Sequence, residues 1–444
     1  MNNARSAALS ALLHVDVNEG YSNIVLDKTL SAFSLEQRDK ALASAIFYGV
    51  LERRITLDYI ISQFSKIPPV KISPEVLEIL RMGVYQILYL EKVPNSAAVN
   101  ESVNLAKENK SAKASGFINA VMRSLLRNLE GIKMPDPEKE PLPYLSVKYS
   151  CPQWLIKLWQ ESYGESCTLG LLESSMNKPP VFARVNNTAV SEENLIERLN
   201  SENIEAKAVD WLENAVKLEN TGAVSQSVCY RDGLFHIQDL SSQLCCSLLN
   251  PIAGQSVIDV CSAPGGKAFT IAEIMGNQGR LLAFDKYKGK VRLIRQGAQR
   301  LNLSMIQAAV RDAQSEPVDL EPADRVLCDV PCSGLGIIRR KPEIRYKLQS
   351  AIDSLPDLQY FILCKSSQLV KSGGILIYST CTLNPHENDE VAAKFIKNND
   401  GFEPYALRLP QNLTRAVDEP ENQLTLMPHV HGTDGFFVAA FKKR

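Results

Sequence analysis

At 444 residues the chain is long enough for two or three domains, each able to bury its own core. Lysine and arginine number 49 against 50 aspartates and glutamates, a formal net charge of -1, so bulk basicity points to no function and any polyanion surface must be local. No apolar run approaches the roughly 20 residues that cross a bilayer, Met1 to Ser10 lacks a signal-peptide core, and the 10 cysteines show no repeated Cys-x-x-Cys spacing; a cytoplasmic protein is expected, with no membrane partner, no metal and reduced cysteines.

Residues 1–128 carry helical periodicity almost throughout: Ala7, Ala8, Ala11, Leu12 and Val15 recur at helical spacing, as do Leu77, Leu80, Val84, Ile87 and Leu88. Ser73-Pro74-Glu75 and Asn95 to Ala98 read as helix starts, so an all-helical domain is predicted. The stretches Arg81-Met82-Gly83-Val84-Tyr85-Gln86-Ile87-Leu88 and Phe117-Ile118-Asn119-Ala120-Val121-Met122-Arg123 resemble the NusB-type RNA-binding domain. Residues 129–143, rich in proline and charge without periodicity, read as a linker. Residues 144–231 mix helices, such as Trp154 to Tyr163 and Glu193 to Asn200, with short strands around Val181 to Val185 and Ala215 to Leu218, which predicts a small α+β domain. Arg184 and Asn186, in or beside the first of those strands, are candidates for contact with RNA or for plain surface polarity.

From residue 232 to 444 strand and helix alternate regularly. Strands are predicted at Arg280 to Asp285, Ser304 to Ala308, Arg325 to Val330 and Gly374 to Ser379, with helices near Gly289 to Arg300, Leu355 to Val370 and Asn388 to Asn398. This spacing predicts a mainly parallel sheet covered on both faces. Gln423 to Met427 and Gly435 to Phe441 are expected to close it as antiparallel edge strands.

The organising stretch is Ile258-Asp259-Val260-Cys261-Ser262-Ala263-Pro264-Gly265-Gly266-Lys267, where a short apolar strand meets a glycine turn and a helical run from Ala268 to Met275. Strand, glycine turn and helix form the ligand-binding corner of a doubly wound sheet, because glycine admits close approach and a helix start offers unpaired N–H groups. Asp285, Asp312 and Asp329 each follow a predicted strand, where they would share one crevice or cap the next helix. Neither Gly-x-Gly-x-x-Gly nor a complete P-loop is present, so acidic strand ends suit a ribose-bearing donor such as S-adenosylmethionine better than a pyrophosphate. Cys332, in Asp329-Val330-Pro331-Cys332-Ser333-Gly334, and Cys381, in Ser379-Thr380-Cys381-Thr382, each follow a strand and are placed to face that crevice as nucleophile candidates.

Asp259 to Lys267, Asp329 to Ser333, Ser379 to Thr382 and the closing Asp434-Gly435-Phe436-Phe437 are similar to motifs of the RNA cytosine-5 methyltransferases of the Sun/NSUN class, and the helical front half together with Arg339-Arg340-Lys341-Pro342-Glu343-Ile344-Arg345 resembles its bacterial small-subunit rRNA subgroup. The resemblance implies a multidomain chain: an all-α NusB-like N-terminal domain, a small α+β middle domain and a C-terminal α/β Rossmann-like class I methyltransferase domain. It further implies that Cys261, Ser262, Ala263, Pro264, Gly265, Gly266 and Lys267, with Asp285, Asp312 and Asp329, hold S-adenosylmethionine. Cys381 is then the nucleophile, Cys332 assists product release, and Asp329 can stabilise the adduct at N3 of the base. Ser262 departs from the alanine more often found there, and Lys286 from an acidic or apolar residue.

Spacing alone does not say which thiol attacks; only the resemblance selects Cys381. Arg339, Arg340 and Arg345 are expected to meet RNA phosphates, the target being a cytosine of 16S rRNA or of a small-subunit assembly intermediate, acted on by a monomer. Two rivals stay open: the same chemistry on tRNA or 23S rRNA, and a non-catalytic NusB-like RNA-binding factor.

Overall fold

The computed structural model describes residues 3–18, 22–109, 111–316 and 320–444. These form two compact units: Met1–Asn177 with Ile338–Lys347, and Lys178–Ile337 with Leu348–Arg444. Among the described residues no helix is long and apolar enough to cross a membrane.

The first unit is helical, as the periodicity predicts. Helix Pro74–Tyr89 starts on proline, whose missing N–H costs nothing in a first turn, and buries Val76, Leu77, Ile79, Leu80, Met82 and Val84. Helix Ser115–Arg127 packs across it, contributing Ile118, Val121, Met122 and Leu125 to the same core. Arg81, within the first NusB-like stretch, is an interior residue: its guanidinium grips Asp58 at 2.6 and 2.7 Å and also pairs with Glu78. Residues 129–143 are docked rather than free, since Gln63 and the backbone of Lys133 exchange two hydrogen bonds of 3.0 Å. Helices Pro141–Tyr149 and Gln153–Ser174 also pack within this unit.

Arg345, expected on the RNA-facing surface, is 1% exposed and is instead a keystone of the first unit. It donates to the carbonyls of Glu52, Tyr149, Ser150 and Ser175 at 3.1 to 3.5 Å, groups that stand at the C-terminal ends of three helices and have no partner within their own helix. The side chain of Tyr346 adds bonds to Leu51 and Ser150 beside it. A basic run in a sequence carries charge but no record of burial, which is why this role was invisible there. Arg345→Met is expected to destabilise the first unit by about 3 kcal/mol or more, because several buried carbonyls lose their donor. Urea unfolding checks this; a loss below about 1 kcal/mol would show that water or neighbours replace the guanidinium.

In the second unit, a four-stranded antiparallel sheet comes first: β1 (Val181–Val185), β2 (Glu205–Ala208), β3 (Ala215–Glu219) and β4 (Phe235–Ile237), in the order β2-β3-β1-β4. β4 lies beyond the boundary expected at residue 231, and three residues are too few to show any period.

The larger sheet holds β5 (Ser256–Asp259), β6 (Arg280–Asp285), β7 (Ile306–Val310), β8 (Ala323–Asp329), β9 (Val370–Thr380), β10 (Phe402–Pro404), β11 (Gln423–Leu426) and β12 (Phe436–Lys443). Its order is β10-β12-β9-β8-β5-β6-β7, with β11 also on β12; the β9-β8-β5-β6-β7 portion is parallel and the late strands are antiparallel. β11 and β12 pair as the sequence suggests, except that β12 sits inside the sheet, between β9 and the short β10 that the sequence reading missed.

Side chains alternate between two cores. Val257, Leu281, Ala283, Leu327, Ile375 and Ile377 enter one, packed against helices Leu240–Leu248 and Gly266–Ile274. Ile258, Leu282, Phe284, Val326, Cys328, Leu376 and Tyr378 enter the other. This two-residue parity in a sheet covered on both faces fixes the register, since a slip by one residue would exchange the cores, and each buried side chain of this size contributes about 1.5–3 kcal/mol.

Candidate active site

The same parity aims the polar strand ends. Asp259 follows Val257 by two residues, Asp285 follows Ala283, Asp329 follows Leu327 and Ser379 follows Ile377, so all four fall on the face covered by helix Gly266–Ile274. The chain order reverses around β5, whose parallel neighbours are β6 on one side and β8 on the other. A crevice opens there at the carboxyl ends of the strands.

Gly265 turns the chain from β5 into the helix at φ 114°, a region that excludes most side chains, and a Cβ on it would come within 2.4 Å of the Phe269 ring. The Ser262 N–H donates to Phe284 O at 2.7 Å and holds the turn against β6. Lys267, one residue into the helix, donates to Asp329 Oδ2 at 2.8 Å, and Ser379 Oγ donates to Asp329 Oδ1 at 2.8 Å. Burial pulls the Lys267 ammonium down, but Asp329 outweighs it and holds that pKa above the ordinary value.

Asp259 has no hydrogen bond of good geometry on either carboxylate oxygen, and Ser262 Oγ is likewise buried without one. Burial first, then the charge of Asp329, pushes the Asp259 carboxyl up to about 7. Leaving such groups unmatched costs on the order of 1–3 kcal/mol each. A glycine cradle beside an unmatched carboxylate therefore fits a ligand that brings hydrogen-bond donors and positive charge. Asp285 gives one oxygen to the Tyr287 N–H at 2.9 Å. Asp312 is engaged locally, with the Gln314 N–H at 3.0 Å and Lys286 at 3.0 Å.

Cys332 and Cys381, predicted to face a common crevice, are free thiols with their sulfurs 3.3 Å apart. The hydrogen bond with Cys381, then burial, raises the Cys332 pKa well above that of an ordinary thiol. Cys261, by contrast, is pushed up mainly by burial and has no such partner.

The two cysteine loops are fixed by residues that motif reading passed over. Glu387, fully buried, accepts from the Ser333 N–H at 2.8 Å, from Gln359 at 2.8 Å and from Asn384 at 2.9 Å, and Gln359 also donates to Pro331 O at 3.0 Å. Asn388 accepts from Thr380 at 2.6 Å and donates to Thr382 O at 3.0 Å, while the hydroxyls of Ser333 and Thr382 meet at 2.7 Å. The only signal in the sequence was the polar cluster Asn384-Pro385-His386-Glu387-Asn388 between a strand and a helix. Gly336 donates its N–H to Cys381 O at 3.0 Å and accepts from the Gly435 N–H at 2.9 Å. A Cβ on Gly336 would meet Gly435 O at 2.0 Å, which gives the closing Asp434-Gly435-Phe436-Phe437 motif its physical reason.

The remaining site candidates divide. Arg184 is 3% exposed; its guanidinium donates to Glu213 O at 2.8 Å and lies 3.5 Å from Glu273, which is also 3.3 Å from His236. Asn186, fully buried, donates to Gly233 O and Leu301 O. Neither is a surface for RNA or plain surface polarity, the two roles the sequence left open, because both side chains are enclosed by the interior partners just named. Arg339 and Arg340 are half-buried in the segment that joins the first unit. A cavity beside Trp211, lined by Glu192, Glu193 and Asp210, contains none of the candidates.

The NusB family model matches residues 2–127, a ferredoxin-like domain model of RsmF/B-like methyltransferases matches 151–225, and the 16S rRNA methyltransferase RsmB/F model matches 246–442. Fold and matches define the class: a methyltransferase whose Rossmann-like domain follows a NusB domain and a ferredoxin-like domain. Over its full length the chain is 37% identical to the "Probable ribosomal RNA small subunit methyltransferase B" of Bacillus subtilis, covering 99% of this chain and 98% of that one. It is 36% identical to the Synechocystis protein of the same description, covering 100% of both. A solved methyltransferase homolog from Pyrococcus horikoshii superposes with a TM-score of 0.58 at 29% identity, over 68% of this chain and 98% of that one. The chain belongs to the ribosomal RNA small subunit methyltransferase B family.

Proposed function

We propose that this chain methylates C5 of a cytosine in 16S rRNA, taking the methyl group from S-adenosylmethionine and using Cys381 as nucleophile and Cys332 as the thiol that assists release. The observation that carries this reading is the pair of sulfurs 3.3 Å apart beside the carboxylates at the strand ends. S-adenosylmethionine, when bound, supplies a methyl group on a sulfonium. The residues suited to hold it are Cys261 to Lys267 through their backbone, Asp285 toward the ribose, Asp312 and Asp329, and Asp259, whose two unmatched oxygens suit an ammonium.

Cytosine C5 is a weak nucleophile, so the Cys381 thiolate adds at C6 and loads electron density onto C5. Cys332 stays in contact with the partner sulfur as it reacts, and Asp329 is within the same cluster to stabilise the adduct at N3. After methylation a water takes the C5 proton, the C–H electron pair restores the C5–C6 double bond, and the Cys381–C6 bond breaks to release a thiolate, with Cys332, 3.3 Å away, supporting its departure.

Incubating the purified protein with 16S rRNA and donor, followed by bisulfite sequencing, is expected to reveal one newly protected cytosine. Protection confined to tRNA or 23S rRNA, or none at all, overturns the reading; failure to bind the donor as well would leave a non-catalytic RNA-binding factor. Asp285→Ala is expected to weaken donor binding about 10- to 100-fold, the loss of one charge-assisted hydrogen bond, as read by calorimetry. Unchanged affinity would remove Asp285 from the site.

A further inference from the structure

With Arg184 buried, the second unit needs another cationic surface if it grips an RNA, and one is present on helix Lys288–Arg300. Its inner face, Val291, Ile294 and Ala298, packs into the sheet. Its charged residues are Lys288, Lys290, Arg292, Arg295 and Arg300, without one aspartate or glutamate, in a chain whose formal net charge is -1.

Not all of this charge is available. Arg300 stands 3.9 Å over the Tyr230 ring and donates to the carbonyls of Tyr230 and Phe235. Arg295 donates to Ala308 O on β7, and the neighbouring Lys286 is paired with Asp312. Lys288, Lys290 and Arg292 are exposed and, among the described residues, in no ion pair. Lys288, Arg292 and Arg295 recur at i, i+4 and i+7, a single stripe about 10 Å long. Like charges at that spacing cost the helix a few tenths of a kcal/mol each until an anion lies along them.

The stripe begins at the working end of the sheet, since β6 ends on Asp285. Tyr287 lies between them, 58% exposed with Lys290 5.1 Å over its ring, and Leu293 on the same helix is 49% exposed. A free phosphate or a small anion would use the cations and ignore the ring. A nucleic-acid strand uses both: phosphates along the cations and an unstacked base on the aromatic face.

We infer that Lys288 and Arg292, with Lys290 and Tyr287, bind the RNA strand flanking the target cytosine. This rests on the reading that the substrate is RNA. The test measures binding of a 16S rRNA fragment by fluorescence anisotropy across a salt series, for the full-length protein and two variants. The triple variant Lys288→Glu, Lys290→Glu, Arg292→Glu is expected to raise Kd at least 10-fold and to flatten the salt dependence by about 2 in slope, about 0.7 for each of the three lost contacts to a single strand. Tyr287→Ala is expected to raise Kd a few-fold with the slope unchanged, the signature of lost stacking. S-adenosylhomocysteine affinity and melting temperature are expected to stay at wild-type values in both. A triple variant within twofold of wild type at every salt concentration overturns the inference, and so does a loss of RNA binding accompanied by loss of S-adenosylhomocysteine binding. Wild-type protein that fails to bind the RNA at all overturns the substrate reading as well, so the two failures are told apart by the wild-type curve.

Discussion

Cys381→Ala is expected to reduce methyl transfer to 16S rRNA to background, a fall on the order of 10⁴-fold or more, because the addition at C6 has no other nucleophile of comparable strength in the crevice. The remaining sulfur, Cys332, sits only 3.3 Å away but belongs to a separate loop pinned by Glu387 and Gln359. It is therefore a poor substitute. The substitution removes one small side chain from a loop held by Thr380, Thr382 and Asn388, so fold and donor binding should survive, and S-adenosylhomocysteine affinity within about twofold of wild type is the control. Transfer of labelled methyl groups is the readout. Activity near wild type would transfer the nucleophile's role to Cys332, the assignment that motif spacing left open.

Cys332→Ala is expected to give the opposite phenotype, a stalled product. If Cys381 adds and Cys332 assists the elimination, the variant carries methylation to completion but retains RNA on the enzyme. A band of protein covalently joined to RNA should then accumulate on denaturing gels, approaching one equivalent per enzyme, while multiple turnover falls about 10²- to 10⁴-fold, the range of a lost acid or base. The double variant with Cys381→Ala should show no such band, which separates a Cys381–C6 bond from non-specific trapping. Normal turnover without a retained complex would mean that water, rather than Cys332, completes the reaction. The contact between the sulfurs motivates the experiment: a proton donor or acceptor for the departing thiolate must lie within reach of it.

Much of this site could be read from the chain. The strand–glycine–helix corner at Asp259 to Lys267 appears where the residues predicted it, because the apolar run of β5, the φ of Gly265 and the helix start are local properties. Cys332 and Cys381 were marked by the ends of β8 and β9, and parallel pairing of those strands, Asp329 opposite Ser379, brings them together. The positioning residues were harder to see. Glu387 and Gln359 become parts of the site only when a helix and a loop fold back onto the Pro331–Ser333 backbone.

The sequence by itself determined the succession of a helical domain and a strand–helix domain, the alternation that sets which face each strand-end carboxylate occupies, and the pair of thiol-bearing loops. These depend on period, turn chemistry and residue type, all of which act over a few neighbours. Only the tertiary structure decided which charges meet solvent. Arg184 and Arg345 look no different along the chain from Lys288 or Arg292, yet the first two are enclosed by a carboxylate or by carbonyls drawn from distant elements, while the others remain on an open helix face. Burial is a property of what packs against a residue, and for a charged side chain that depends on partners tens or hundreds of residues away.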